Sequence, residues 1–121
     1  MTDSAQVDVG MIPGIPQQDS RLLLKNLQQE PAVQRVLLYG SRALGRHRSG
    51  SDIDLCLEAP AMGLQELLEL GARLDDLMLP WPIDLQLRHL IDHADLQAHL
   101  ERAGEVLWER CERQDDVQQA E

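Results

Sequence analysis

The sequence predicts a domain of the α/β class, in its α+β form, from three observations. An apolar run at Val36-Leu37-Leu38-Tyr39 reads as a buried strand, residues 52–58 and 83–87 alternate between apolar and polar, and leucine-rich stretches of helical period lie before and between them. At 121 residues the chain fits one small domain with a single core and no separate substrate domain.

Each element follows from local chemistry. Residues 1–18 mix Gly10, Pro13, Gly14 and Pro16 with polar residues and have no period, which predicts a flexible lead-in. Asp19 or Ser20 can cap a helix to about Gln29, with Leu22, Leu23, Leu24 and Leu27 as its apolar stripe and Pro31 limiting its extension. The strand at 33–39 ends at Gly40, and its unbroken apolar run suits a central position in a sheet. A short helix is predicted from Ser41 to about Gly45, followed by the loop Arg46-His47-Arg48-Ser49-Gly50.

In the next strand Ile53, Leu55 and Leu57 share one face, and Asp52, Asp54, Cys56 and Glu58 the other. Residues 63–79 predict a second amphipathic helix with Leu64, Leu67, Leu68, Gly71, Leu74 and Leu77-Met78 inward, closed by Pro80 and Pro82. The strand at 83–87 sets Asp84 opposite Ile83, Leu85 and Leu87. A helix over 94–103, stopped by Gly104, and an edge strand at Val106-Leu107-Trp108 complete a domain of residues 19–110, with 111–121 as a polar tail.

Composition narrows the function classes. A formal net charge of -10, with two Trp, one Tyr and no Phe, argues against nonspecific nucleic-acid binding and leaves almost no stacking platform for exposed bases. The acidic surface suits a basic protein partner or simply solubility. Cys56 and Cys111 are too few and too far apart for a disulfide framework, so reduced thiols are expected. With no leader-like segment and no apolar stretch long enough for a membrane span, the expected compartment is the cytoplasm.

One segment names a chemistry: Gly40-Ser41, ten residues, then Asp52-Ile53-Asp54. Gly-Ser at the end of an apolar run can turn backbone N–H groups toward an anion, and Asp-x-Asp on a strand aims two carboxylates the same way. If the strand carrying Asp52 and Asp54 pairs with the strand carrying Asp84, three carboxylates share one sheet face beside that turn. Such a cluster repels itself unless a divalent cation neutralises it, and hard oxygen donors suit Mg²⁺ or Mn²⁺. Phosphoryl or nucleotidyl transfer from a nucleoside triphosphate is the matching reaction class.

These residues resemble the polymerase-beta-type nucleotidyltransferase superfamily, and more narrowly the minimal nucleotidyltransferases of prokaryotes. The Gly-Ser-Arg-Ala-x-Gly opening at 40–45, Ser51-Asp52-Ile53-Asp54-Leu55, Asp84-Leu85 and the Arg102-to-Trp108 ending carry the resemblance, over about Leu22 to Arg110. It implies a mixed β-sheet flanked by helices, Asp52 and Asp54 as metal ligands, and Asp84 as third carboxylate, ligand and base. Gly40, Ser41 and Arg42 would bind the nucleotide phosphates. Members of this group are usually encoded beside a small helical HEPN protein, often a ribonuclease toxin, and act as its antitoxin by transferring AMP from ATP to one of its tyrosines. Two alternatives stay open: a noncatalytic subunit that neutralises by contact, and an enzyme acting on a small molecule.

Other residues read more plainly. Arg42 could contact phosphate or form an ion pair with a neighbour such as Glu58. Arg46, His47 and Arg48 read as a solvated loop, His89 and His93 as a surface turn without zinc, and Cys56 as a small packed side chain. Trp81 and Trp108 read as core or interface anchors.

Overall fold

The computed structural model describes residues 11–110; the expectations for residues 1–10 and 111–121 lie outside them. Helix α1 (Gln17–Gln28) leads into strand β1 (Arg35–Tyr39), a single helical turn α2 (Ser41–Leu44) and strand β2 (Ile53–Glu58). Helix α3 (Leu64–Asp75), strand β3 (Ile83–Leu87), a 3-10 turn (Arg88–Leu90), helix α4 (Ala94–Ala103) and strand β4 (Glu105–Glu109) follow. The four strands form one mixed sheet in the order β3-β2-β1-β4. β1 lies antiparallel to both β2 and β4, while β3 runs parallel to β2, because the intervening α3 carries the chain back to the end of the sheet at which β2 began. β1 is central, as its apolar run predicts.

The period-2 pattern decides what each face buries. Val36, Leu38, Ile53, Leu55, Leu57 and Leu87 pack with Leu23, Leu24 and Leu27 of α1 and Leu67, Leu70 and Leu74 of α3, which forms the main core. The opposite face holds a smaller cluster of Leu37, Tyr39, Cys56 and, from α4, Leu100. Burial pushes the Cys56 thiol up to about 11, in keeping with a packed side chain. Arg110 closes the far end: its guanidinium donates to the carbonyls of Gln28, Glu30 and Val33 and lies over the Trp108 ring.

Two expectations need correction. Residues 11–16 are not a free lead-in, since Ile12 and Ile15 are buried in the main core and α1 begins two residues before Asp19, after Pro16. An aperiodic Gly/Pro segment can still donate two isoleucines to a core. On α3 the inward stripe is Leu67, Leu70 and Leu74, whereas Leu64 and Leu68 are 59% and 62% exposed and Met78 lies beyond the helix with a φ of 59°. The helix ends at Asp75, well before Pro80, and two adjacent leucine stripes compete for one sheet-facing side. Among the described residues, no helix is long and apolar enough to cross a membrane.

Candidate active site

The site grows from the sheet register. Tyr39, Asp54 and Asp84 are successive partners across β1, β2 and β3, so period-2 alternation turns all three side chains to the face opposite the main core. Asp54 is half-buried at the start of β2, Asp84 is exposed near the start of β3, and Asp52 is exposed one residue before β2. The Tyr39 hydroxyl donates to Asp84 Oδ2 at 3.1 Å. Burial, and then the charge of Asp84, hold the Tyr39 phenol well above its ordinary range, so it remains a donor.

Gly40 takes a φ of 79°, the left-handed region in which glycine is strongly favoured, and a Cβ there would run into the Asp54 carboxylate. The turn of the Gly-Ser motif and the Asp-x-Asp strand are therefore in direct contact through the missing side chain. The Gly40 carbonyl accepts from the Leu44 N–H at 3.1 Å, and its own N–H donates to His99 Nε2 at 3.2 Å. Ser41 follows, half-buried, as the first residue of α2.

Burial raises the Asp54 carboxyl above its ordinary range, the charges of Asp84 and then Asp52 raise it further, and Arg42 opposes them. A carboxylate pushed up in the folded protein stabilises the fold while protonated and loses that contribution as pH rises from its ordinary value of 3.8 through the raised one. Asp54→Asn is therefore expected to melt at a higher temperature than wild type at neutral pH, with the gain shrinking as pH falls toward 4; thermal melts at several pH values check it.

In the fold Arg42 is committed to backbone carbonyls and not to Glu58. Its side chain is 1% exposed, and the guanidinium donates to the carbonyls of Pro13 at 2.7 Å, Ser51 at 2.8 Å and Asp52 at 3.3 Å. These donors are committed to backbone, and Glu58 pairs instead with Arg35 at 2.8 Å and Arg88 at 3.1 Å. Arg42 thus ties the segment before α1 to the loop that delivers Asp52 and Asp54. Burial lowers its proton affinity, with the Asp54 charge as the partial offset. Arg42→Met leaves three acceptors without their donor and is expected to cost on the order of 2–3 kcal/mol in chemical denaturation.

Of the other basic residues in the loop, Arg46 and Arg48 are exposed, while His47 is half-buried near Gly14. Trp81 donates its indole N–H to the Ser49 carbonyl at 3.1 Å, which anchors the same loop from the α3–β3 connection. His89 Nε2 lies 3.0 Å from the Met62 carbonyl oxygen, and His93 precedes α4.

Tyr39 and His99 were not foreseen as site residues. Tyr39 sits inside an all-apolar run that hides its face, and His99 lies on a helix whose docking nothing in the local pattern specifies.

The donor set fits a hard divalent cation by its chemistry: only carboxylate oxygens, with the charges of Asp84 and Asp52 bearing on Asp54. The three carboxylates are within electrostatic reach but not drawn to a point. Among the described residues, no three His, Cys, Asp or Glu side chains converge closely enough to hold an ion.

Comparison with known proteins agrees with this fold. The family model for the polymerase beta nucleotidyltransferase domain matches residues 23–113. Among curated proteins, none matches. A chain of a toxin–antitoxin complex with AMP-PNP is 25% identical at a TM-score of 0.63, covering 82% of this chain and 77% of that one. A chain of the MntA-HepT toxin–antitoxin complex is 23% identical at a TM-score of 0.60, with coverage of 84% and 78%. A complex of MNT antitoxin with tri-AMPylated Shewanella oneidensis HEPN toxin matches at 23% identity and a TM-score of 0.60, with coverage of 84% and 76%. These last two show the shared fold. By the extent of its family match and by its mixed four-stranded sheet, the chain belongs to the polymerase beta nucleotidyltransferase family.

Proposed function

We propose that this chain is a minimal nucleotidyltransferase and antitoxin that transfers AMP from ATP to a tyrosine of a cognate HEPN ribonuclease toxin. The observation that carries the reading is the direct pairing of Asp54 with Asp84 on adjacent strands, on the face against which the Gly40 turn packs. The similarity to a complex with AMP-PNP and to one with AMPylated HEPN toxin supports ATP as donor and a HEPN protein as acceptor.

In this scheme the tyrosine oxygen of the acceptor attacks the α-phosphorus of ATP, the bond to the bridging oxygen of the β-phosphate breaks, and pyrophosphate leaves. Asp84 takes the acceptor's proton; its Oδ2 is engaged by Tyr39, which leaves Oδ1 for that transfer. Gly40 lets the triphosphate approach the backbone without a Cβ, and Ser41 supplies a hydroxyl and an N–H. Arg42 holds the loop that aims Asp52 and Asp54. Asp52, Asp54 and Asp84 would hold Mg²⁺ or Mn²⁺, which when bound neutralises the carboxylates and stabilises charge on the attacking and leaving oxygens.

The test combines the purified chain, ATP labelled on its α-phosphate, and the HEPN protein encoded beside it, with and without Mg²⁺. Label on the toxin, dependent on Mg²⁺ and lost on Tyr→Phe exchange at the modified position, is the expected result. Suppression of the toxin with no label transferred overturns the catalytic reading in favour of neutralisation by contact. Label on a small molecule but not on the toxin overturns the protein-acceptor reading.

A further inference from the structure

The residue that completes the Gly40 turn comes from α4, outside both the Gly-Ser and the Asp-x-Asp segments. β1 ends at Tyr39, so the Gly40 N–H lies past the strand register with β2 and would be left to solvent or ligand. His99 Nε2 accepts it at 3.2 Å, while the His99 ring meets Tyr39 edge-on, centroids 6.1 Å apart and planes at 74°. Tyr39 in turn donates to Asp84 Oδ2 at 3.1 Å. One imidazole therefore touches both halves of the site: the turn through a hydrogen bond, and the Asp84 carboxylate through the tyrosine it packs against.

The helix bearing His99 is seated locally by Leu100, with Leu96 beside it, on the small cluster of Leu37, Tyr39 and Cys56. That seat is slight beside the main core; Gln97 ties the start of α4 to the Ile91 carbonyl at 3.0 Å, and the imidazole's two contacts tie the helix to the site itself. An acceptor at Nε2 requires the proton on Nδ1, which defines the tautomer.

We propose that His99 is a positioning residue of the nucleotide site, holding the Gly40 turn in the conformation that receives the triphosphate and fixing Tyr39 against Asp84. This rests on the proposed nucleotidyltransferase function. His99 touches neither substrate nor the reacting atoms; it acts through Gly40 and Tyr39.

The variants His99→Phe and His99→Gln separate the two contacts. Phenylalanine keeps an aromatic edge for Tyr39 but accepts no hydrogen bond, and glutamine restores an acceptor near the position of Nε2. His99→Phe is expected to raise both the ATP dissociation constant and KM for ATP about five- to tenfold, with kcat changed less; His99→Gln should recover most of that loss. In wild-type protein, ¹⁵N spectra of labelled histidine should show His99 neutral with its proton on Nδ1, and the Gly40 amide should shift in His99→Phe.

Wild type that binds ATP, together with a Phe variant of unchanged affinity and KM, overturns this inference alone. So does a wild-type His99 protonated on Nε2. Loss in both variants without rescue by glutamine assigns the effect to packing and also overturns it. Wild type that binds no ATP overturns the functional reading and this inference with it.

Discussion

Asp54→Asn is expected to slow AMP transfer by about a thousandfold or more while leaving a protein that is folded and more resistant to heat than wild type. The two effects have one cause. Asp54 lies half-buried between the charges of Asp52 and Asp84, and burial together with those charges raises its proton affinity. Keeping a charge there works against folding, so the neutral amide relieves the fold. The same charge is what would draw in a divalent cation, and an amide oxygen is a poor substitute as a ligand. Divalent cation should accordingly raise the melting temperature of wild type and have little effect on Asp54→Asn. Single-turnover transfer assays paired with melts with and without Mg²⁺ read both effects; a variant that is less stable and less active by similar proportions would mean that Asp54 is a structural residue.

Gly40→Ala is the second large effect, expected to cost about 2–3 kcal/mol of stability and about a hundredfold in transfer. A φ of 79° already penalises any side chain, and the new methyl would meet the Asp54 carboxylate itself. Relief requires the turn or the aspartate to move, and a shift near 1 Å at a reacting centre is worth about that much in rate. Gly45 provides the control. It has a similar φ of 74° with a ψ of 20°, an αL conformation that costs a side chain less than the ψ of -156° at Gly40, and nothing lies within 4 Å of a Cβ built there. Gly45→Ala should therefore cost about 1 kcal/mol from backbone strain alone, with transfer unchanged within about twofold. Equal losses of activity in the two variants would remove the Gly40–Asp54 contact from the explanation.

Strand patterning made most of this architecture legible. Alternation along 52–58 and 83–87 placed Asp54 and Asp84 on the face opposite Ile53 and Ile83, and the parallel register then set the two aspartates side by side. The unbroken run at Val36-Leu37-Leu38-Tyr39 marked β1 as central for the same reason that it concealed Tyr39: with both faces covered, no polar residue betrays which one is which.

Helix faces were less legible. Leucines at 64, 67, 68, 70 and 74 offer α3 two overlapping stripes, and the choice between them depends on where α1 and the sheet lie. Arg42 shows a related limit. Next to a Gly-Ser motif in an acidic chain, an arginine is read as a phosphate ligand, yet the orphan carbonyls of Pro13, Ser51 and Asp52 claim it, and none of those is apparent before the chain is folded. His99 is the same case in reverse, a residue without a local motif that long-range packing brings to Gly40.

The most direct test of the central claim, that Asp52, Asp54 and Asp84 with the Gly40-Ser41 turn form one metal-nucleotide site, is a crystal structure of the chain with Mn²⁺ and a nonhydrolysable ATP analogue. Anomalous density contacting Asp54 and at least one of Asp52 and Asp84, with the triphosphate lying along Gly40-Ser41, is the expected result. Nucleotide or manganese bound elsewhere, with the three carboxylates left unliganded, would contradict it.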